Sequence, residues 1–406
     1  MNNMFTLLIV GADANAYYMA RCYHELTNKK AYIIGKNPIW FTHNSKIVNK
    51  AYYENIWDEK EFLKILDNFY EEHKKEKILL VSSTENYIEL ISKNEEYLKD
   101  KFYFNYPKKE IIETLSNKEL FYKQYMDNGI IELPKTIYYD VLKDNKIKNI
   151  NYPVILKPAN VVMYRHMDFN GKNKIYKIET EEELYRIIDI IKRGGYTDTL
   201  IIQEYIEGDD SYLFDSVIYA DKNGKVKRIT LAQIGLQEHT KDLVGNAAVL
   251  INGYNEFNNS KEIIEKIKKL SEKIGITGFA EFDLKYDKRD KKFKLLEINP
   301  RQGRSSYYLN SAGCNLIELL YQDLIKKEKL EYKILNKEVL LSYVPKKIIK
   351  EYIVNKKYKD KALSLYKKHV NPIKYKKDNS LKRQYLLYKK DKRYYSDYKN
   401  GYWKNR

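Results

Sequence analysis

Apolar residues follow two alternating rhythms along the first hundred positions. Phe5 to Val10 is an unbroken apolar run closed by Gly11, which predicts a buried strand. Ala14 to Leu26 then repeats apolar residues at helical spacing behind Asp13, a good N-cap. Ala31 to Ile34 reads as a second strand, Glu59 to Tyr70 as a helix, Lys77 to Ser82 as a buried strand and Asn86 to Leu98 as a helix. Strands that take turns with helices form a parallel sheet, so this region is expected to be α/β. A further helix opens at Ser116-Asn117-Lys118 and runs to about Asn128, where Gly129 offers a left-handed stop and Pro134 marks a loop. Beyond it, strands are expected at Val154 to Lys157, Ile175 to Ile178, Leu200 to Ile206, Leu213 to Ala220 and Lys227 to Ala232. Helices are expected at Glu181 to Arg193 and Lys261 to Ile274, an α+β mixture. From Lys337 the chain becomes rich in lysine and tyrosine. The expected organisation is an α/β domain over residues 1–115, an α+β domain over 116–330 and a basic region over 331–406.

The most informative pattern is Phe279 to Asp287 followed, after a charged turn around Asp290, by Phe293 to Arg301. It reads as a hairpin. If Asp283 faces Glu297, a turn of about three or five residues closes the ladder, and period-2 alternation puts Asp283, Lys285, Glu297 and Asn299 on one face. Phe282, Leu284, Tyr286, Leu296 and Ile298 collect on the other. Two carboxylates and an amide oxygen suit Mg²⁺, a hard cation that takes its remaining ligands from water and nucleotide phosphates. A hairpin with a solvated polar face is the competing reading. Upstream, Pro153 to Pro158 is a short strand that aims Lys157 as a phosphate contact would be aimed. Leu200 to Asp210 is an apolar strand running into an acidic turn, whose backbone can pair an adenine edge and whose acids can accept from ribose hydroxyls.

Composition narrows the classes. The 406 residues carry 74 Lys and Arg against 56 Asp and Glu, a net +18, which predicts attraction to phosphate-rich partners or an anionic surface. With 43% hydrophobic and 32% charged residues the chain is globular. Cys22 and Cys314 are too few for a disulfide framework and form no Cys-x-x-Cys pair, so a reducing cytoplasm is expected. Met4 to Val10 is too short for a signal peptide and no run approaches a spanning helix, so membrane contact would be peripheral. Gly11 to Ala16 lacks the further glycines of a dinucleotide site. His24, His43, His73, His166, His239 and His369 include no pair at metal spacing. Ser82-Ser83-Thr84-Glu85-Asn86 follows a parallel strand and reads equally as an acceptor contact or a capping box. Residues 372–406 hold 12 Lys or Arg against 3 Asp, with tyrosines and Trp403 interleaved. That pattern fits an anionic headgroup interface, a solvated helical tail, or a non-enzymatic nucleic-acid or polyanion binder.

The order of strand-Lys157, Gln203-Glu204-Tyr205-Ile206 and the Asp283, Glu297-x-Asn299 hairpin resembles the ATP-grasp superfamily across about residues 4–325. The resemblance implies a parallel α/β domain followed by a two-part ATP-grasp fold and a basic C-terminal extension, with ATP and Mg²⁺ as cofactors and no nucleic-acid partner. It implies phosphate contacts from Lys118 and Lys157, an adenine hinge at Gln203 to Ile206 with Asp210 at the ribose, and magnesium ligands Asp283, Glu297 and Asn299. Arg301 resembles the arginine that steadies an acyl phosphate. Where many members have a glycine-rich flap, residues 159–174 contain only Gly171. Gly11 to Glu25, Gly208 to Ser211, Asp283 to Asp290 and Asn299 to Ser306 narrow the resemblance to the D-aspartate ligases of cell-wall synthesis. These join the β-carboxylate of D-aspartate to a lysine amine of a peptidoglycan precursor. Arg304 and Ser305 are then candidates to grip the amino acid, because a dicarboxylate needs a forked cation and a hydroxyl; a loop capping its own helix is the competing reading. An ATP-grasp ligase for another acid or acceptor fits the same residues.

Overall fold

The computed structural model describes residues 5–401 other than 83, 144, 145, 241, 242 and 258, so Ser83 and Trp403 lie outside the described residues. Thr6–Val10 (β1), Ala31–Gly35 (β2), Val48–Tyr52 (β3) and Ile78–Ser82 (β4) form a parallel sheet in the order β3-β2-β1-β4. The apolar pattern does not reveal β3, an edge strand whose Asn49 and Lys50 are exposed. Asp13 caps the helix Ala14–Thr27 by accepting from the N–H groups of Asn15 and Ala16. The helix expected over Asn86 to Leu98 breaks at Asn94 into Glu85–Lys93 and Glu95–Leu98.

Thr136–Asp140 (β5), Val154–Pro158 (β6), Tyr176–Ile178 (β7) and Thr199–Glu204 (β8) form an antiparallel sheet in the order β5-β8-β6-β7. The helix Glu181–Arg193 buries Leu184, Ile187, Ile188 and Ile191 in its core. A third sheet runs β14-β13-β9-β11-β12-β16, built from Leu213–Ala220 (β9), Ala232–Gln237 (β11), Ala247–Asn252 (β12), Gly278–Asp287 (β13), Lys292–Asn299 (β14) and Val339–Ser342 (β16). Val226–Ile229 (β10) pairs with β9, and Lys333–Ile334 (β15) pairs with β10. The single strand expected over Lys227 to Ala232 is thus the end of β10 and the start of β11.

Asp283 faces Glu297 across β13 and β14, as alternation requires, and a bulge follows at once, so that Leu284 pairs with Leu295. Two expectations change. The ladder closes at Asp287 and Lys292 on a turn of the four residues 288–291, and Leu295 enters the core while Leu296 turns to line the cavity. The helix Ser260–Ile274 covers the apolar face, packing Ile263, Ile267 and Leu270 with Phe282, Leu284, Leu295 and Ile298.

The C-terminal region shares a core with the first domain: Tyr17, Tyr18, Leu340, Tyr358, Tyr394 and Tyr398 belong to one buried cluster. Arg383 is fully buried, 3.2 Å from Asp378 and 3.9 Å above the ring of Tyr17. Tyr17 and Ser45 donate to the Asp378 carboxylate in turn. The basic tail is therefore clamped to the body over this stretch. Among the described residues no helix is long and apolar enough to cross a membrane.

Candidate active site

A cavity of about 790 Å³ opens where the three sheets approach one another, and every residue that the family resemblance assigns to nucleotide, magnesium or amino acid lines it. Lys118 begins the helix Lys118–Tyr125, capped by Asn117, and its ammonium meets the Glu297 carboxylate. Burial alone would lower the Lys118 pKa, but Glu297 carries it up, and the same contact holds Glu297 well below the usual carboxylate range. Lys157, at the end of β6, donates to Gln203 Oε1 at 3.0 Å and to Tyr122 Oη at 3.1 Å. Burial and the neighbouring Lys118 lower its pKa to about 7.

The side chains of Gln203 and Glu204, in the segment expected to be the hinge, have different partners. The Gln203 side chain faces Lys157 and donates to Thr136 Oγ1 at 3.0 Å, so it orients the lysine. Glu204 accepts from Lys135 N–H at 3.0 Å and from Arg289 Nη2 at 3.1 Å, and Arg289 also grips Asp287. Gln203, Glu204, Tyr205 and Ile206 all line the cavity. Lys177 and Lys285 lie over the Tyr205 ring at 4.7 and 5.4 Å. Asp210 stands at the cavity wall with its carboxylate accepting from Gln237 N–H and Nε2, both at 2.8 Å.

On β9, β13 and β14 the register sets Asp215, Asp283 and Glu297 in one transverse row, with Glu281 and Asn299 paired beside it. Burial, then Glu297 and Asp215, push the Asp283 carboxyl well up, and Asn299 Nδ2 donates to it at 3.3 Å. Among the described residues no three His, Cys, Asp or Glu side chains form a closed metal cage. Two carboxylates and an amide oxygen form an open, hard donor set instead, which fits a Mg²⁺ completed by phosphate and water. Lys118 supplies the positive charge beside Glu297.

Arg301 is bound by Glu85 through Nε at 3.1 Å and Nη2 at 2.9 Å, and its Nη1 lies 3.9 Å from Glu281. Glu85 is thus committed to the arginine; Thr84 holds the N-cap position without a side-chain hydrogen bond, so no capping box forms among the described residues, Ser83 lying outside them. Arg304 pairs with Glu238 at 2.5 Å. Ser305 Oγ lies 2.5 Å from Asp215 and 3.2 Å from Glu281, while Ser306 takes up the local N–H of Gly303 at 2.8 Å.

Several cavity residues escape sequence reasoning. Glu281 shares the period-2 face of Asp283 and was legible in principle, whereas Asp215 joins it only through the long-range pairing of β9. Both carboxyls are pushed up, by burial first and, for Glu281, by Asp215 next. Tyr164, Asp168, Lys172 and Lys174, all in the glycine-poor segment between β6 and β7, line the same cavity. Lys174 reaches Val244 O at 3.1 Å across the cleft. Side-chain cations stand here where a glycine-rich flap would offer backbone N–H groups.

Comparison with known proteins gives a consistent result. The family model "ATP-grasp in the biosynthetic pathway with Ter operon" matches residues 240–346. A D-aspartate ligase of Enterococcus faecium is 32% identical over 404 residues, covering 95% of this chain and 94% of that protein. An L-amino acid ligase structure from Bacillus licheniformis matches with a TM-score of 0.59 at 17% identity, over 80% of this chain and 75% of that one. The N5-carboxyaminoimidazole synthetase of Staphylococcus aureus complexed with ADP matches with a TM-score of 0.60 at 15% identity, over 84% and 82%. The two structural likenesses are likenesses of fold.

Proposed function

Because the chain belongs to the ATP-grasp family together with D-aspartate ligase, and is an ATP-dependent carboxylate-amine ligase, we propose that its donor is D-aspartate, activated at the β-carboxylate. The acceptor in this reading is the side-chain amine of a peptidoglycan precursor, and the reaction takes place in the cytoplasm. The observation that carries it is the single cavity in which two lysines, a hard-oxygen row and two arginines converge.

ATP lies along the cleft, with its adenine edge on the backbone of Glu204 to Ile206 and its phosphates on Lys118, Lys157 and Lys174. Asp283, Glu297 and Asn299 would hold Mg²⁺, which would supply neutralisation of phosphate charge. Lys118, paired with Glu297 in the free chain, would turn its ammonium to the phosphates when the nucleotide enters. Arg304 takes a carboxylate of the amino acid and Ser305 a second polar group, which leaves the other carboxylate to attack phosphorus. Arg301 leaves Glu85 to stabilise the charge on the acyl phosphate and on the tetrahedral oxygen that forms when the acceptor amine adds. Glu85 and Glu89, both at the cavity wall, give an incoming ammonium a local attraction. The exposed basic face of the tail would meet an anionic membrane peripherally.

The test is ADP release measured against a panel of D- and L-amino acids with a lysine-bearing muropeptide precursor. D-aspartate is expected to give the largest kcat/KM, and the product mass should equal donor plus acceptor less one water. Release independent of any amino acid would remove the ligase reading of the site.

A further inference from the structure

The C-terminal helix Leu381–Lys399 packs behind the Glu238–Arg304 pair, of which Arg304 lines the cavity. Its buried positions, Arg383, Tyr394 and Tyr398 with Leu387 partly buried between them, recur at helical spacing. Tyr394 Oη donates to Glu238 Oε1 at 3.1 Å, and that same oxygen receives Arg304 Nη1 at 2.5 Å. Glu238 is fully buried, and its Oε2 has no hydrogen-bond partner among the described residues, so its hydrogen bonds come from Arg304 and Tyr394, with the Lys390 charge on the same helix also near it. One turn on, Tyr398 donates to Gln237 O at 2.6 Å and stacks on His239 at 4.1 Å. Gln237 closes β11 and Glu238 follows it, and they hold Asp210 and Arg304 respectively. Tyr343, 4.3 Å from the guanidinium, completes the seat by donating to Arg304 O at 2.7 Å.

We propose that the C-terminal helix is a wall of the donor site, fixing through Tyr394 and Glu238 the position of Arg304 and hence the affinity for the amino acid. Tyr394 and Glu238 act as positioning residues. The inference rests on the reading of Arg304 as the group that takes a donor carboxylate. A guanidinium held on one side by a buried carboxylate keeps its fork in one orientation, so the donor does not have to order a free arginine on binding. Without the Tyr394 hydroxyl, Glu238 loses its second donor and the pair gains freedom to rotate.

The test compares Tyr394→Phe, Glu238→Gln and Arg304→Lys in the full chain, with Tyr385→Phe on the exposed side of the same helix as control. The best donor of the amino-acid panel and ATP are varied separately and melting is recorded. The expected result is a donor KM raised about fivefold to tenfold in Tyr394→Phe and more in Glu238→Gln, with KM for ATP and kcat within about twofold, and no change in Tyr385→Phe. A donor KM at the wild-type value in both Tyr394→Phe and Glu238→Gln, or a parallel rise of the KM for ATP, would overturn the inference. Arg304→Lys separates it from the reading beneath it: an unchanged donor KM in that variant removes Arg304 from the donor site, whatever Tyr394 does.

Discussion

Lys157 and the acidic row show how single residues meet the cleft's electrostatics. The Lys157 pKa is lowered to about 7, so its charge is present below that pH and largely absent above it in the free chain. A polyphosphate placed beside it favours the charged form. Nucleotide binding at pH 8 should therefore take up close to ~1 proton, and affinity should rise as pH falls towards 7. Calorimetry in two buffers of different ionisation enthalpy measures this uptake; Lys157→Met should abolish it, and a wild-type chain that takes up none would refute the assignment. Glu297→Gln and Asn299→Ala should each lower turnover about a thousandfold with melting little changed, because both side chains face the cavity and not the core. Near-normal rates at saturating Mg²⁺ would make the hairpin purely structural.

Among elements, the hairpin and the hinge depend on one another. Arg289, in the hairpin turn, bridges Asp287 on β13 to Glu204 at the end of β8 and so joins two sheets across the nucleotide side. Arg289→Gln should raise the KM for ATP about threefold to tenfold and leave donor KM unchanged, a modest effect because the arginine is half exposed. Steady-state kinetics with ATP varied decides it, and an unchanged KM would make the bridge ornamental. The facing of Asp283 and Glu297 was legible because period-2 alternation leaves few alternatives where one face must be buried. The bulge beyond it was not, since one extra residue leaves no mark in a pattern of apolar and polar positions, and Leu296 exchanged places with Leu295 as a result. Glu85 carried a capping signal that concealed its bond to Arg301, and no local pattern joins Tyr394 to Glu238 across 156 positions.

For the whole molecule, charge and shape pull the C-terminal region two ways. Residues 346–399 hold 19 Lys and Arg against 5 Asp and Glu, most of the net +18. Tyr394 and Tyr398 are spent inside the protein, so a surface contact would use Leu381, Tyr385 and Tyr388, which are 86%, 55% and 58% exposed, with the lysines around them. Truncation of the tail would open the donor wall and test nothing cleanly. Charge reversal does better: the wild-type chain should sediment with anionic vesicles at low salt and be released at high salt, and Lys382→Glu with Lys389→Glu and Lys392→Glu should stay in the supernatant. Wild-type protein that never sediments would end the membrane reading and leave the ligase reading intact. The central claim, a ligase that makes an acyl phosphate of D-aspartate in this cavity, is tested most directly by trapping. With ATP, Mg²⁺ and hydroxylamine but no acceptor, D-aspartate should yield aspartyl β-hydroxamate and equivalent ADP, and L-aspartate and monocarboxylic amino acids little. A hydroxamate formed equally well from L-aspartate, or from a monocarboxylic amino acid alone, would contradict it.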